Sequence, residues 1–250
     1  MIRKYFSTMG KPKKDKKDKI AWRSHEVTRI EAFSDAVFGF AVSLLVISLE
    51  VPKNSGELLA SLWGMIPFSF CFLIIFWVWR AQYKFFRRYG LHDSVTIALN
   101  GILLFFMLGF MYPVKFMFSS IFLSKIYFVR PQDFAPLVMF YNSGFAIISF
   151  LFCFMHFNAL KKRAELNLTP VEVFETGTIM GYYAGPGFIS LLAVFIAFME
   201  RNTPEKVSNS FIAYALISVF MPIFGARRDK LFKKKFGNIP VAEPVHNPEE

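Results

Sequence analysis

Arg29, Glu31, Ser34 and Asp35 crowd the head of a stretch, RIEAFSDAVFGFAVSLLVISLE, that carries no further charge until Glu50. A carboxylate inside an apolar helix is costly without a partner or a task, so Asp35 is either an ionisable carrier residue or part of a buried polar knot. Arg29 cannot serve it along the helix, because six residues of separation put the two side chains about 120° apart around the axis. The partner has to come from another helix. Arg80, Gln82 and Tyr83 near the end of the second apolar block, and Asn100 in the third, lie at the same expected depth. The rest of the chain offers little chemistry. His25, His92, His156 and His246 are scattered with no ligand spacing, and no serine or cysteine stands in a nucleophile turn. No glycine-rich phosphate loop follows a strand. The expectation is therefore no enzyme, no catalytic residue, no cofactor and no metal. The run GYYAGPG at 181–187 lacks the TVGYG order of a carbonyl filter and reads as a kink in the fifth helix.

The elements that position Asp35 follow from composition and pattern. With 54% hydrophobic residues, 33 Phe and only 19% charged residues in 250, the chain has too little charge to keep a soluble surface wet. Its apolar residues form six blocks, near 30–50, 57–80, 94–114, 134–158, 177–199 and 209–225, each about the ~20 residues a spanning helix needs. The fold class is an all-α integral membrane protein with six transmembrane helices. The net charge of +11 is not a nucleic-acid signal, because the basic residues sit between apolar blocks and mark topology and anionic-lipid contact. With both termini cytoplasmic, 23 of the 29 Lys and Arg fall on the cytoplasmic side, which only one orientation allows. Residues 1–28 form a disordered basic cytoplasmic tail, 29–226 the membrane domain, and 227–250 a basic cytoplasmic C-terminal tail. The aromatic connection 115–133 is expected as an interfacial helix on the outer side. Cys71 and Cys153 lie in apolar blocks and read as reduced core thiols, and no cleavable signal peptide is evident.

Within the first block, Phe33, Val37, Phe40, Leu44 and Ile47 recur at helical spacing and share one stripe. A second stripe of small residues, Ala32, Ala36, Gly39 and Ser43, runs beside it and is expected to pack closely on a neighbouring helix. The bulky stripe then faces either lipid or an axis shared with other copies, and periodicity alone does not choose.

The order Arg29-x-x-x-Phe33-Ser34-Asp35 at the start of a first span resembles the signature of the transmembrane protein 175 family, potassium-selective channels of endosomes and lysosomes with many prokaryotic relatives. The segment WRAQYKFFRR at 79–88, followed by Asp93, Asn100 and Pro113, resembles the family's second conserved stretch. The resemblance covers about the first half of the chain. It implies one six-helix repeat per chain, a homotetramer around a central pore lined by the first helix, and potassium, with other monovalent cations, as the permeant ion. It implies no carbonyl filter but a hydrophobic constriction at Phe40, Leu44 and Ile47, with the Ser43 hydroxyl beside it. Arg29, Phe33, Ser34 and Asp35 become a network that ties the pore helix to its surroundings, with Gln82, Tyr83 and Asn100 as partners, and Glu50 sits at the external mouth. Three positions depart from the family pattern: Gln82 and Tyr83 replace paired histidines, and Phe40 replaces an aliphatic residue. A secondary or proton-coupled cation transporter using Asp35 is the alternative, and the cell membrane the expected location.

Overall fold

The computed structural model describes residues 22–24, 26–48, 52–123, 129–203 and 212–237. These form six α-helices, α1 (Arg29–Ile47), α2 (Ser55–Tyr89), α3 (Ser94–Phe122), α4 (Pro131–Lys161), α5 (Pro170–Met199) and α6 (Ile212–Phe236), with no strand among the described residues. The chain is an all-α integral membrane protein. By length and hydropathy α1 to α5 each suffice to cross a bilayer. In α6 a basic final third dilutes the apolar block Ile212–Gly225.

Each helix begins where local chemistry supplies what its first turn lacks. Thr28 and Glu31 form a reciprocal capping box on α1, and Thr169 and Glu172 form another on α5. Asn54 accepts the Glu57 N–H at the head of α2 (2.9 Å). Pro131 and Pro170 occupy first-turn positions in α4 and α5, where no amide donor is needed. Gly90 ends α2 in a left-handed conformation (φ 58°), which a side chain would strain.

Several helices outrun their apolar blocks. The 35 residues of α2 reach about 50 Å, well beyond the ~30 Å hydrocarbon layer. Their last two turns hold because Phe85, Phe86 and Tyr89, each 1% exposed, bury one face while Lys84, Arg87 and Arg88 occupy the others. Residues 115–122, expected in a separate interfacial helix, continue α3 without a break, and residues 124–128 of that connection lie outside the described part. Likewise α6 runs through 227–236, so the tail expected from 227 begins as helix. At the other end, Trp22–Ser24 is no disordered tail. The Arg23 and Ser24 amides both donate to Arg87 O, at 2.9 and 3.3 Å.

The six helices form two unlike groups. Every pair among α1, α2 and α3 is in contact, whereas α4, α5 and α6 follow in series, with α4–α5 the most extensive interface. Contacts of α3 and α2 with α4 join the groups. The run 181–187 is part of that second group and makes no filter or break: α5 passes through it as continuous helix. A Cβ at Gly181 or Gly185 would collide with the rings of Phe224 and Phe220 on α6, so these glycines are contact points for large aromatics.

Candidate functional site: the first helix

α1 lies at the edge of the bundle and touches it along one narrow stripe. Glu31, Ser34, Phe38, Ala41 and Leu45, spaced by three and four, are its buried residues. Phe38 and Leu45, each 4% exposed, fill the groove between α2 and α3, where volume is needed. The small stripe, Ala32, Ala36, Gly39 and Ser43, is exposed and does not pack on a helix of the same chain. Phe33, Phe40, Leu44 and Ile47 are also bare, at 63, 57, 44 and 76% exposure, while Val37 at their margin is half-buried. Roughly two-thirds of the circumference of α1 is thus left for lipid, pore water or a second copy of the chain.

The buried stripe carries polar groups only at its head. Ser34 Oγ donates to its own Ile30 O (2.7 Å) and accepts from Asn100 Nδ2 of α3 (2.9 Å). Asn100 Oδ1 in turn accepts from Gln82 Nε2 of α2 (2.6 Å). All three side chains are at most 2% exposed, so this chain of amides is a dry clasp across α1, α2 and α3. Asp35 lies outside it. None of Arg80, Gln82, Tyr83 or Asn100 reaches Asp35; its carboxylate accepts the indole N–H of Trp79 (2.7 Å) and remains exposed. Tyr83 stacks on Trp79 with centroids 5.7 Å apart, and the Arg87 guanidinium lies 5.4 Å from the centre of the Tyr83 ring. Arg29 is exposed and has no partner among the described residues, and Glu50 lies outside them.

Glu31 was not singled out as a site residue, yet it is 6% exposed and accepts from Thr28 Oγ1 (3.0 Å) with Arg87 Nε at 3.9 Å. Its signal in the sequence is the spacing Thr28-x-x-Glu31 of a capping box. A second missed group lies just before it. Arg23 grips Glu172 of α5 with both guanidinium nitrogens, at 3.0 and 2.7 Å, and donates to Leu166 O (3.1 Å). Next to these, Asp93 at the head of α3 accepts from Thr96 Oγ1 (2.7 Å) and from Asn158 of α4 (3.1 Å). Partial burial pushes the Asp93 carboxyl up, but those hydrogen bonds and nearby Lys162 outweigh it and hold the group below its ordinary value. Pro113, the last residue of the matching segment, turns its carbonyl to the Tyr141 hydroxyl of α4 (2.8 Å). No cluster of metal-ligating side chains occurs among the described residues.

This geometry, a first helix clasped at its head and bare along most of its length, falls within residues 29–111, which match the family described as endosomal/lysosomal potassium channel TMEM175. A potassium channel from Marivirga tractuosa is 33% identical over 222 residues, covering 82% of this chain and 89% of that protein. The chain belongs to the TMEM175 family. It is accordingly no enzyme. Among solved TMEM175 structures, the potassium channel MtTMEM175, crystallised as a threonine-to-alanine variant with a nanobody–MBP fusion, superposes with a TM-score of 0.75 at 33% identity. That match covers 84% of this chain and 97% of the other. A homologue, from Chamaesiphon minutus, of the lysosomal potassium-selective channel TMEM175 shares the fold, with a TM-score of 0.51 at 23% identity over 82% of this chain and 100% of that one. Within the TMEM175 frame, the Arg29-to-Asp35 signature divides into a buried member, Ser34, and exposed members, Arg29, Phe33 and Asp35.

Proposed function

We propose that this chain is a potassium-preferring cation channel of the cell membrane, in which four copies surround one pore lined by α1. The observation that carries the reading is the bare stripe of α1. Phe40, Leu44 and Ile47 face away from the chain's own bundle while Ser34, Phe38 and Leu45 pin the opposite side. Turned to a common axis, that stripe stacks apolar rings along the ion path. The exposed small stripe, Ala32, Ala36, Gly39 and Ser43, then lets neighbouring copies approach closely.

An apolar ring offers an ion no ligands, so it conducts only when wide enough to stay wet. Selectivity comes from how much of the hydration shell fits, and a tenfold preference needs only about 1.4 kcal/mol. Ser43 contributes to it. Its hydroxyl proton is engaged by Gly39 O (3.0 Å), which leaves the oxygen lone pairs as acceptors facing out from the helix, beside Phe40 and Leu44.

Purified protein in planar bilayers with unequal potassium and sodium tests the reading. Stepwise unitary currents and a reversal potential on the potassium side are expected, whereas slow saturating flux without unitary events would support a carrier using Asp35 and end the channel reading. Leu44→Ala is expected to move the potassium/sodium permeability ratio toward one by widening the ring. An unchanged ratio and conductance in both Leu44→Ala and Phe40→Ala would remove this stripe from the pore.

A further inference from the structure

The polar contacts that hold α1 are unevenly placed. Its head has the Thr28–Glu31 capping box, the Ser34–Asn100–Gln82 clasp and the Asp35–Trp79 bond. Beyond Asp35, contacts with the bundle are apolar until the last turn. There Lys115 of α3 donates from Nζ to both Ser48 O and Ser48 Oγ, each at 2.7 Å. These two bonds reach the C-cap of α1 from another helix.

An ammonium group at a helix C-terminus meets carbonyls that lack intrahelical partners and the negative end of the helix dipole. Lys115 lies 21 residues into α3 from Ser94, about 32 Å along the helix, so the contact is at the membrane edge opposite Arg29. A lysine there could extend to water and headgroups. Here the side chain is half-buried and turns to α1 instead. The last turn of α1, just before Ser48, carries Leu44 and Ile47, both exposed.

We propose that Lys115 is a positioning residue for ion conduction, an electrostatic latch that fixes the tail of the pore helix and with it the rings formed by Leu44 and Ile47. The proposal rests on the channel reading above. Losing two charge-assisted hydrogen bonds at one helix end frees its last turn to fray. Amide exchange over Leu44–Ser48 in Lys115→Met is therefore expected to accelerate by at least about tenfold. Lys115→Arg keeps a charged donor and is expected to stay within about twofold of the unaltered chain. Ser48→Ala, which keeps the charge and the carbonyl but loses the hydroxyl, is expected to fall between them.

The experiment combines hydrogen exchange of the full chain in nanodiscs with bilayer recordings of the same preparations. Lys115→Met is expected to lower the potassium/sodium permeability ratio along with the faster exchange, and Lys115→Arg to restore both. Unchanged exchange in Lys115→Met and Ser48→Ala overturns the latch. Faster exchange with unaltered conductance and permeability ratio also overturns it, because Lys115 is then only a helix cap. If Lys115→Met fails to fold, Ser48→Ala and Lys115→Arg still decide between these outcomes. An unaltered chain that passes no current brings down the channel reading itself, whereas normal currents in that chain with an inert Lys115 sink this proposal alone.

Discussion

Asn100→Ala is expected to destabilise the folded chain by about 2–4 kcal/mol. Asn100 is 2% exposed and is the middle member of the clasp, accepting from Gln82 and donating to Ser34. Truncation strands the Gln82 amide, itself 2% exposed, with its donor unpaired in a site closed to water. It also leaves a void where two helices meet α1. Ser34 is less affected, because its hydroxyl keeps Ile30 O as an acceptor. Ser34→Ala is therefore expected to cost only about 1 kcal/mol. Interhelical hydrogen bonds in membrane proteins often measure below that figure, because the unfolded chain in lipid finds other partners. The void and the stranded amide put Asn100 above it. Thermal unfolding in detergent checks the ranking: for about 200 folded residues, 3 kcal/mol corresponds to about 6–12 °C. Equal midpoints for Asn100→Ala and Ser34→Ala would mean that the clasp does not hold α1.

How far this site was legible before the structure depends on which interaction places each residue. The apolar blocks gave the six helices because bilayer thickness sets a minimum length that hydropathy reads directly. Depth offers Gln82 and Asn100 as partners for Asp35, but these two side chains join Ser34 instead. Depth has no angular resolution, however, and Asp35 pairs with Trp79, less than one turn before Gln82. The helix ends lie further out than the apolar blocks, at Tyr89, Phe122 and Phe236; at Tyr89 the reason is that buried Phe85, Phe86 and Tyr89 continue a helix that charge alone would end. The wheel of α1 sets a bulky stripe beside a small one, and the structure leaves both exposed, with a third stripe against the bundle. Phe38, Ala41 and Leu45 hold that place because a groove between two helices calls for volume. Arg23 and Glu172 meet across 149 positions, and nothing local announces the pair beyond the capping box that places Glu172.

That pair carries the second large expected effect. Arg23→Met should destabilise the chain by about 3 kcal/mol or more, because it removes a two-pronged ion pair from the Glu172 carboxylate, whose side chain is 5% exposed. Glu172→Gln should cost less, about 1–2 kcal/mol. Glutamine preserves the capping box with Thr169, and the Arg23 side chain, 24% exposed, can turn toward water. The double variant Arg23→Met with Glu172→Gln should then be more stable than Arg23→Met alone, since the buried carboxylate charge is gone. The same order should appear at the head of α1. Arg23 and Ser24 bond to Arg87 O at the end of α2, the Arg87 guanidinium donates to Ser24 O (3.2 Å), and the strap leads into the Thr28 cap. Amide protection over the first turn of α1 should fall most in Arg23→Met and partly return in the double variant. If Arg23→Met and Glu172→Gln unfold together with the unaltered chain, the strap is a surface contact, and α1 is anchored at its head by the Ser34 clasp alone.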